Sequence, residues 1–187
     1  MTPLYIIIGI VIALVLIVIG MYNSLVTLSQ QVKNGWADID VQLKRRYDLI
    51  PNLVNTVKGS SNFESDTLEK VITARNSAMA TTGPNKEHAE AENMLTGALK
   101  SIFALSESYP DLKSNQNYLA LQSELADTEN KIQAARRFYN NIVMAYNTKI
   151  QTVPSNIIAN MFSFTEKEFF ELAEGEEAAR NPVEVKF

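Results

Sequence analysis

One histidine, no cysteine and a run of three cations bound the chemistry open to this 187-residue chain. Without cysteine there are no disulfides, no thiolate metal sites and no cysteine nucleophile. His88 lies in the polar run NKEHAEAEN, where a lone imidazole reads as a solvated side chain rather than a ligand or a base. Carboxylates recur two residues apart, Asp38 with Asp40 and Glu166 with Glu168. On a helix such pairs do not face each other, and no further ligand converges to complete a cation site. The motifs G-x-S-x-G, G-x-G-x-x-G, H-E-x-x-H and the P-loop are absent. Tyr139-Asn140 and Tyr146-Asn147 repeat one heptad apart and read as core tyrosines with flanking amides, not as a cofactor box. No residue is therefore assigned a catalytic, cofactor-binding or metal-ligating role, and the chain reads as a non-enzyme.

The richest stretch is QLKRRYDLIPNLVNTVK, residues 42–58. Leu43, Tyr47, Ile50, Val54 and Val57 share one helical face, yet Lys44, Arg45 and Arg46 stand in a row and Pro51 falls in mid-pattern. Proline lacks a backbone donor and clashes with the carbonyl four residues earlier, at a cost of about 3 kcal/mol, so a bend is expected there. Lys44, Arg45, Arg46, Tyr47 and Pro51 form a candidate partner-contact patch, since interfaces favour Arg and Tyr; the competing reading is plain core. A second constellation crosses two segments. Arg46 lies near the edge of the apolar face, as does Asp40, and Glu129 and Arg136 are seven residues apart on a face of a later segment. Asp40, Arg46, Glu129 and Arg136 are a candidate polar layer that would fix helix register more than add stability. The alternative is that all four are solvated face charges.

Elements must position these groups, and the first is an anchor. Residues 4–21, LYIIIGIVIALVLIVIGM, carry no charge, and as a helix they span roughly 27 Å, near the ~30 Å hydrocarbon core. No cation precedes the run and no small-x-small cleavage site follows Ile19, which favours a retained transmembrane helix over a signal peptide. Beyond it, apolar residues from Leu25 to Val57 step by three or four, which predicts one long amphipathic helix continuous with the anchor. Gly59 and the polar residues after it punctuate its end. A second helix begins near Ser65, and Pro84 is placed to start a third after the TTGP interruption. Residues 115–152 hold neither Gly nor Pro and again step by three and four; Pro154 ends that helix, and Ser155 is placed to cap a short last one. The expected fold is all-α: an elongated antiparallel bundle of three to four long helices following one N-terminal transmembrane helix. The segments read as a flank at 1–3, the anchor at 4–21, the bundle at 22–164 and an acidic, mobile tail at 165–187. After Thr165 seven Glu face Lys167, Arg180 and Lys186, so the tail carries the whole net charge of −4 and the remainder is neutral. Nothing basic points to nucleic acid.

The stretches YNSLVTL, WADIDVQLKRRYDLIPNLVNTVK, YPDLKSNQNYLALQSELADTENKIQAARRFYNNIVMAYN and PSNIIANMF together resemble the LemA family of bacterial membrane proteins, over nearly all of residues 4–164. The resemblance implies an N-terminal membrane helix, a bundle of long antiparallel helices, no established enzymatic activity and a scaffold-type role. Some relatives carry a lipoprotein-type cysteine before the Tyr-Asn pair; here the neighbourhood is VIGMYN, so the anchor is a protein helix. The expectation is a single-pass protein of the bacterial inner membrane with protein partners, lipid contact through its anchor, no cofactor and no nucleic acid. Its long exposed helices invite homo-oligomerisation. Lys33 favours a cytoplasmic bundle; Lys44, Arg45 and Arg46 lie more than about 20 residues from the membrane end, where the positive-inside bias fades. A membrane-shaping or lipid-contacting role and a regulatory subunit of a membrane enzyme are the alternatives.

Overall fold

A computed structural model describes residues 2–59 and 64–171. Its regular structure is all helix, with no strand among the described residues. α1 runs unbroken from Thr2 to Lys58, and its 57 residues span roughly 85 Å. Its apolar N-terminal part touches nothing else: every residue from Leu4 to Ile19 is exposed. Among the described residues α1 is the one helix long and apolar enough to cross a membrane. The same helix then enters the bundle without a turn, as the periodicity predicts.

α2 (Ser65–Ala80) and α3 (Lys86–Ser106) form a hairpin, followed by the short α4 (Pro110–Lys113). α5 (Gln116–Gln151) returns antiparallel to α1, and α6 (Ser155–Met161) closes the membrane-proximal end. Local chemistry fixes the starts. Asn85 caps α3 by accepting from His88 N, and Asn115 caps α5 by accepting from the N–H groups of Asn117 and Tyr118. Pro110 takes the first turn of α4, where a missing donor costs nothing. Gly83 turns the chain between α2 and α3 with φ +85°, a conformation that favours glycine. Two expected starts differ. Pro84 lies outside α3, and Ser155 is the first residue of α6 rather than its cap. The Ser155 hydroxyl instead donates back to the carbonyls of Lys149 and Thr152, binding α6 to the end of α5.

The apolar interior falls into two clusters. The distal one joins Leu53, Val57, Leu68, Val71, Leu95, Ile102, Leu112 and Tyr118 across α1 to α5. The membrane-proximal one joins Leu25, Val32, Ile39, Leu43, Tyr139, Val143, Tyr146, Ile158 and Phe170. On α1 the boundary between them falls between Leu43 and Ile50, and on α5 between Leu125 and Ile132. The polar residues Arg46 and Glu129 occupy that boundary.

After Phe164 the chain does not disperse into a tail at residue 165, as its composition suggests. Residues 165–171 lie back along α5 as a strap whose Phe170 is 2% exposed. The rest of the acidic segment, 172–187, lies outside the described residues.

Candidate functional site

Arg46 lies on the buried face of α1 because Leu43 and Ile50, one turn either side, are core residues. It is 2% exposed. One guanidinium nitrogen donates to Glu92 of α3, the most buried of its partners. The other donates to Glu129 of α5 at 2.5 Å and to Thr96 Oγ1 at 3.0 Å. Three helices therefore meet on one planar cation, whose fixed fork of donors suits carboxylates from different directions. Burial pushes the Arg46 pKa down and the Glu129 charge pushes back; the guanidinium keeps its proton in either case.

Glu92 carries a second set of contacts. The Tyr47 hydroxyl donates to it, and His88 Nε2 lies 3.4 Å from its Oε1. The His88 Nδ1 is 2.9 Å from the Gly83 carbonyl and must donate there, since a carbonyl only accepts. His88 is 3% exposed, so it is an interior group and not the solvated one its polar run suggests. The reason is the helix period: the run alternates sides, and His88, Ala89, Ala91 and Glu92 form the buried side of α3. Trp36 and Phe170 pack edge-on around the imidazole, with ring centroids at 5.8 and 5.6 Å.

The sequence-level candidates are thus redistributed. Arg46 and Glu129 pair, and Glu92, Thr96, Tyr47 and His88 join them. Arg136 is buried in α5. Asp40 is exposed on α1, outside the buried set, although its charge helps raise the Tyr47 pKa. The five-residue contact patch divides. Lys44 and Pro51 are exposed, with Lys44 pairing to Asp48 in solvent. Arg45 is partly exposed and pairs with Glu124 of α5. Arg46 and Tyr47 turn inward, so they give a partner no common surface with the other three.

Pro51 has its own consequence. The helix continues seven residues past it to Lys58, but the Tyr47 carbonyl loses the N–H it would otherwise accept from. Arg75 of α2 supplies the donor: its Nε reaches the Tyr47 oxygen at 2.8 Å. The proline therefore creates an acceptor on α1 that docks α2.

The Tyr-Asn repeat of α5 holds the strap. The Asn140 side chain donates to the Phe170 carbonyl at 3.1 Å and accepts from the Phe170 N–H at 2.9 Å. Asn147 does the same with Lys167, at 2.9 Å both ways. Tyr139 and Tyr146 donate to the carbonyls of Glu168 and Thr165. The spacing is geometric: seven helical residues rise about 10.5 Å, and three extended residues span about 10 Å. Each amide thus mimics a neighbouring β-strand for one residue of the strap. The heptad spacing indicates that these tyrosines are core residues, but what the amides bind is not legible in it, because the partner is a backbone and leaves no residue-type signal.

What this arrangement does chemically is organise the bundle. Arg, Glu, His and Tyr are acid–base types, but Arg46, His88 and Glu92 lie within the protein at 2–3% exposure. Burial pushes the Tyr47 hydroxyl up to about 12, away from the range useful for proton transfer near neutral pH. Among the described residues no three His, Asp or Glu side chains converge as a metal site requires.

A long apolar helix passing into a bundle keyed by a buried polar layer defines a membrane-anchored, all-helical protein. The LemA family model matches residues 35–187, and the chain belongs to that family. It is 29% identical over 160 residues to Protein LemA of Metamycoplasma hominis, covering 83% of this chain and 71% of the relative. It is also 23% identical over 186 residues to Magnetosome protein MamQ 2 of Paramagnetospirillum magneticum, covering 86% of this chain and 68% of that one. Magnetosome protein MamQ of Magnetospirillum gryphiswaldense matches at 23% over 174 residues, covering 80% and 64% respectively.

Proposed function

We propose that this protein is a non-enzymatic, membrane-anchored scaffold that engages other membrane-associated proteins through the cleft between α3 and the strap. One observation carries this reading. A cavity of about 840 Å³ opens there, lined by Lys86, Glu90, Asn93, Asn147 and residues 166–169 and 171 of the strap. Four glutamates, Glu90, Glu166, Glu168 and Glu171, face two lysines on its walls. The cleft is mixed in polarity and acidic in balance, which suits a basic segment of a protein better than an apolar small molecule. The strap beside it is held in place by α5 side chains that bond its backbone. The interior polar layer supports the same reading, since its acid–base groups are committed to joining helices.

The test is photo-crosslinking in native membranes. A photoreactive residue replaces Glu90 or Phe169 at the cleft, or Lys70 on α2 as a control. The expected result is one protein species captured from both cleft positions and not from the control, with the contact peptide identified by mass spectrometry. Capture of the same set of proteins from all three positions, or of none, would remove the cleft as the contact and the scaffold reading with it.

A further inference from the structure

The membrane-proximal end of the bundle carries an apolar surface that no other element covers among the described residues. α6 buries Ser155, Ile158 and Ala159. Its other side turns Ile157 and Met161, one helical turn apart, outward at 59% and 67% exposure. Val153, just before the helix, is 79% exposed, and Phe162, just after it, 49%. The Phe162 ring centroid is 4.7 Å from that of Tyr22, and that of Phe164 is 5.9 Å away. Tyr22 in turn follows the last residue of the apolar span by one helical rise of about 1.5 Å, because α1 is unbroken there. The height of α6 is thereby set. With residues 4–21 in the hydrocarbon, Phe162 lies in the interfacial layer, several ångström deep, where aromatic residues concentrate.

Charge gives an independent indication. No Asp, Glu, Lys or Arg occurs in residues 2–32 or 150–165. The first charges met on leaving the membrane are Lys33 on α1, Lys149 on α5 and Glu166 on the strap. A bundle end facing water would carry charge, and one built to grip anionic headgroups would be basic. This end is apolar and neutral.

We infer that α6 and its flanks, through Val153, Ile157, Met161 and Phe162, form a foot that inserts into the bilayer interface beside α1, held by apolar burial and indifferent to lipid charge. The bundle is then fixed to the membrane at two points, its stalk and its foot, and its angle to the bilayer is set.

The chain has no cysteine, so single reporters are easily placed. The full-length variants Ile157→Cys and Met161→Cys carry an environment-sensitive fluorophore in phosphatidylcholine vesicles. Met94→Cys on α3 and Leu119→Cys on distal α5 serve as controls, both native residues being exposed. The expected result is blue-shifted emission at 157 and 161, quenched several-fold more than at 94 and 119 by lipids bearing a nitroxide high on the acyl chain. Salt at ~1 M, which shrinks the Debye length to about 3 Å, leaves that quenching unchanged, as does added anionic lipid. Water-like emission quenched only by headgroup nitroxides would overturn the inference, because the foot would stand clear of the bilayer. Blue-shifted emission without lipid quenching would place a second copy of the chain on the patch and overturn it equally. Loss of quenching at high salt would replace apolar insertion with electrostatic contact.

Discussion

Arg45 and Arg46 are adjacent and identical, and the helix puts them to opposite uses. Arg45 pairs with Glu124 where both are partly exposed, and water and salt screen such a pair until it contributes little. Arg46 is enclosed by Glu92 and Glu129. Removing it strands a buried carboxylate, so Arg46→Ala is expected to cost about 3–5 kcal/mol, and Arg45→Ala far less. Chemical denaturation of the full chain in lipid nanodiscs, followed by helical circular dichroism, measures both. A companion variant, Arg46→Met with Glu92→Leu, removes the most buried carboxylate and should recover part of the loss, with the partly exposed Glu129 left to water and the Tyr47 hydroxyl to His88 Nε2. Equal costs for the two arginines would mean that Arg46 is solvated after all. Tyr47 and Tyr139 give a pH prediction. Burial is the main cause that holds both hydroxyls up at about 12, above the ordinary 10.0. Between those values the unfolded chain releases protons that the folded chain keeps, so stability falls as pH rises from about 10 and this loss levels off above about 12. Melting temperatures measured across that range should decline, and Tyr139→Phe should reduce the slope. A slope unchanged by the substitution would assign the decline to other groups. At this scale the sequence is half legible: Arg46 and Glu129 are visible as polar members of apolar faces. His88 and Glu92 are not, because a short polar run conceals which side of α3 turns inward until its neighbours are known.

Among the elements, the long helices are legible and their joints are not. Apolar steps of three and four determine α1 and α5, since only a 3.6-residue period keeps those residues on one side. Residues 165–171 look like tail in the sequence because Glu-rich composition reports on solvation of side chains. What holds residues 165–171 is their backbone, which pairs with Asn140 and Asn147 whatever side chains it carries. Phe170 is the exception, a side-chain anchor whose ring centroid lies 5.0 Å from that of Trp36. Pro51 and Arg75 are the other hidden joint. The rule that proline orphans a carbonyl is readable, but which residue answers it is not. The coupling is testable. Arg75→Ala leaves the Tyr47 carbonyl short of a charge-assisted donor, with an expected loss of about 1.5–3 kcal/mol. Pro51→Ala restores the helical N–H, so in that background Arg75→Ala should cost distinctly less. A double-mutant cycle by denaturation reads the difference; strict additivity would mean that Arg75 acts elsewhere. The strap predicts its own loss: Asn140→Ala removes both bonds to Phe170 and should expose the 165–171 segment to proteolysis several-fold faster, while an exposed substitution such as Met144→Ala should not.

For the whole molecule, α1 is both anchor and mast. Its bundle portion from Tyr22 to Lys58 is on the order of 55 Å long, carrying the distal cluster at its far end and the proximal cluster at its base. Because one helix spans both environments, the side of the membrane on which the bundle stands is a property of the whole chain. The charges nearest the bilayer argue for the cytoplasm. Lys33 lies within the ~15–20 residues over which the positive-inside bias acts. In intact bacterial cells, Leu119→Cys on the exposed distal part of α5 should therefore resist a membrane-impermeant maleimide and react only after permeabilisation. Labelling in intact cells would reverse the orientation. The outcome also constrains the scaffold reading, since the cleft at Glu90 and Phe169 belongs to the same bundle and must share its compartment. A cytoplasmic bundle requires that any protein crosslinked from those positions present a cytoplasmic segment, and a basic one if the acidic rim selects it. Capture of an exported segment from a bundle that proves cytoplasmic would make the crosslink an artefact of lysis rather than a contact made in the cell.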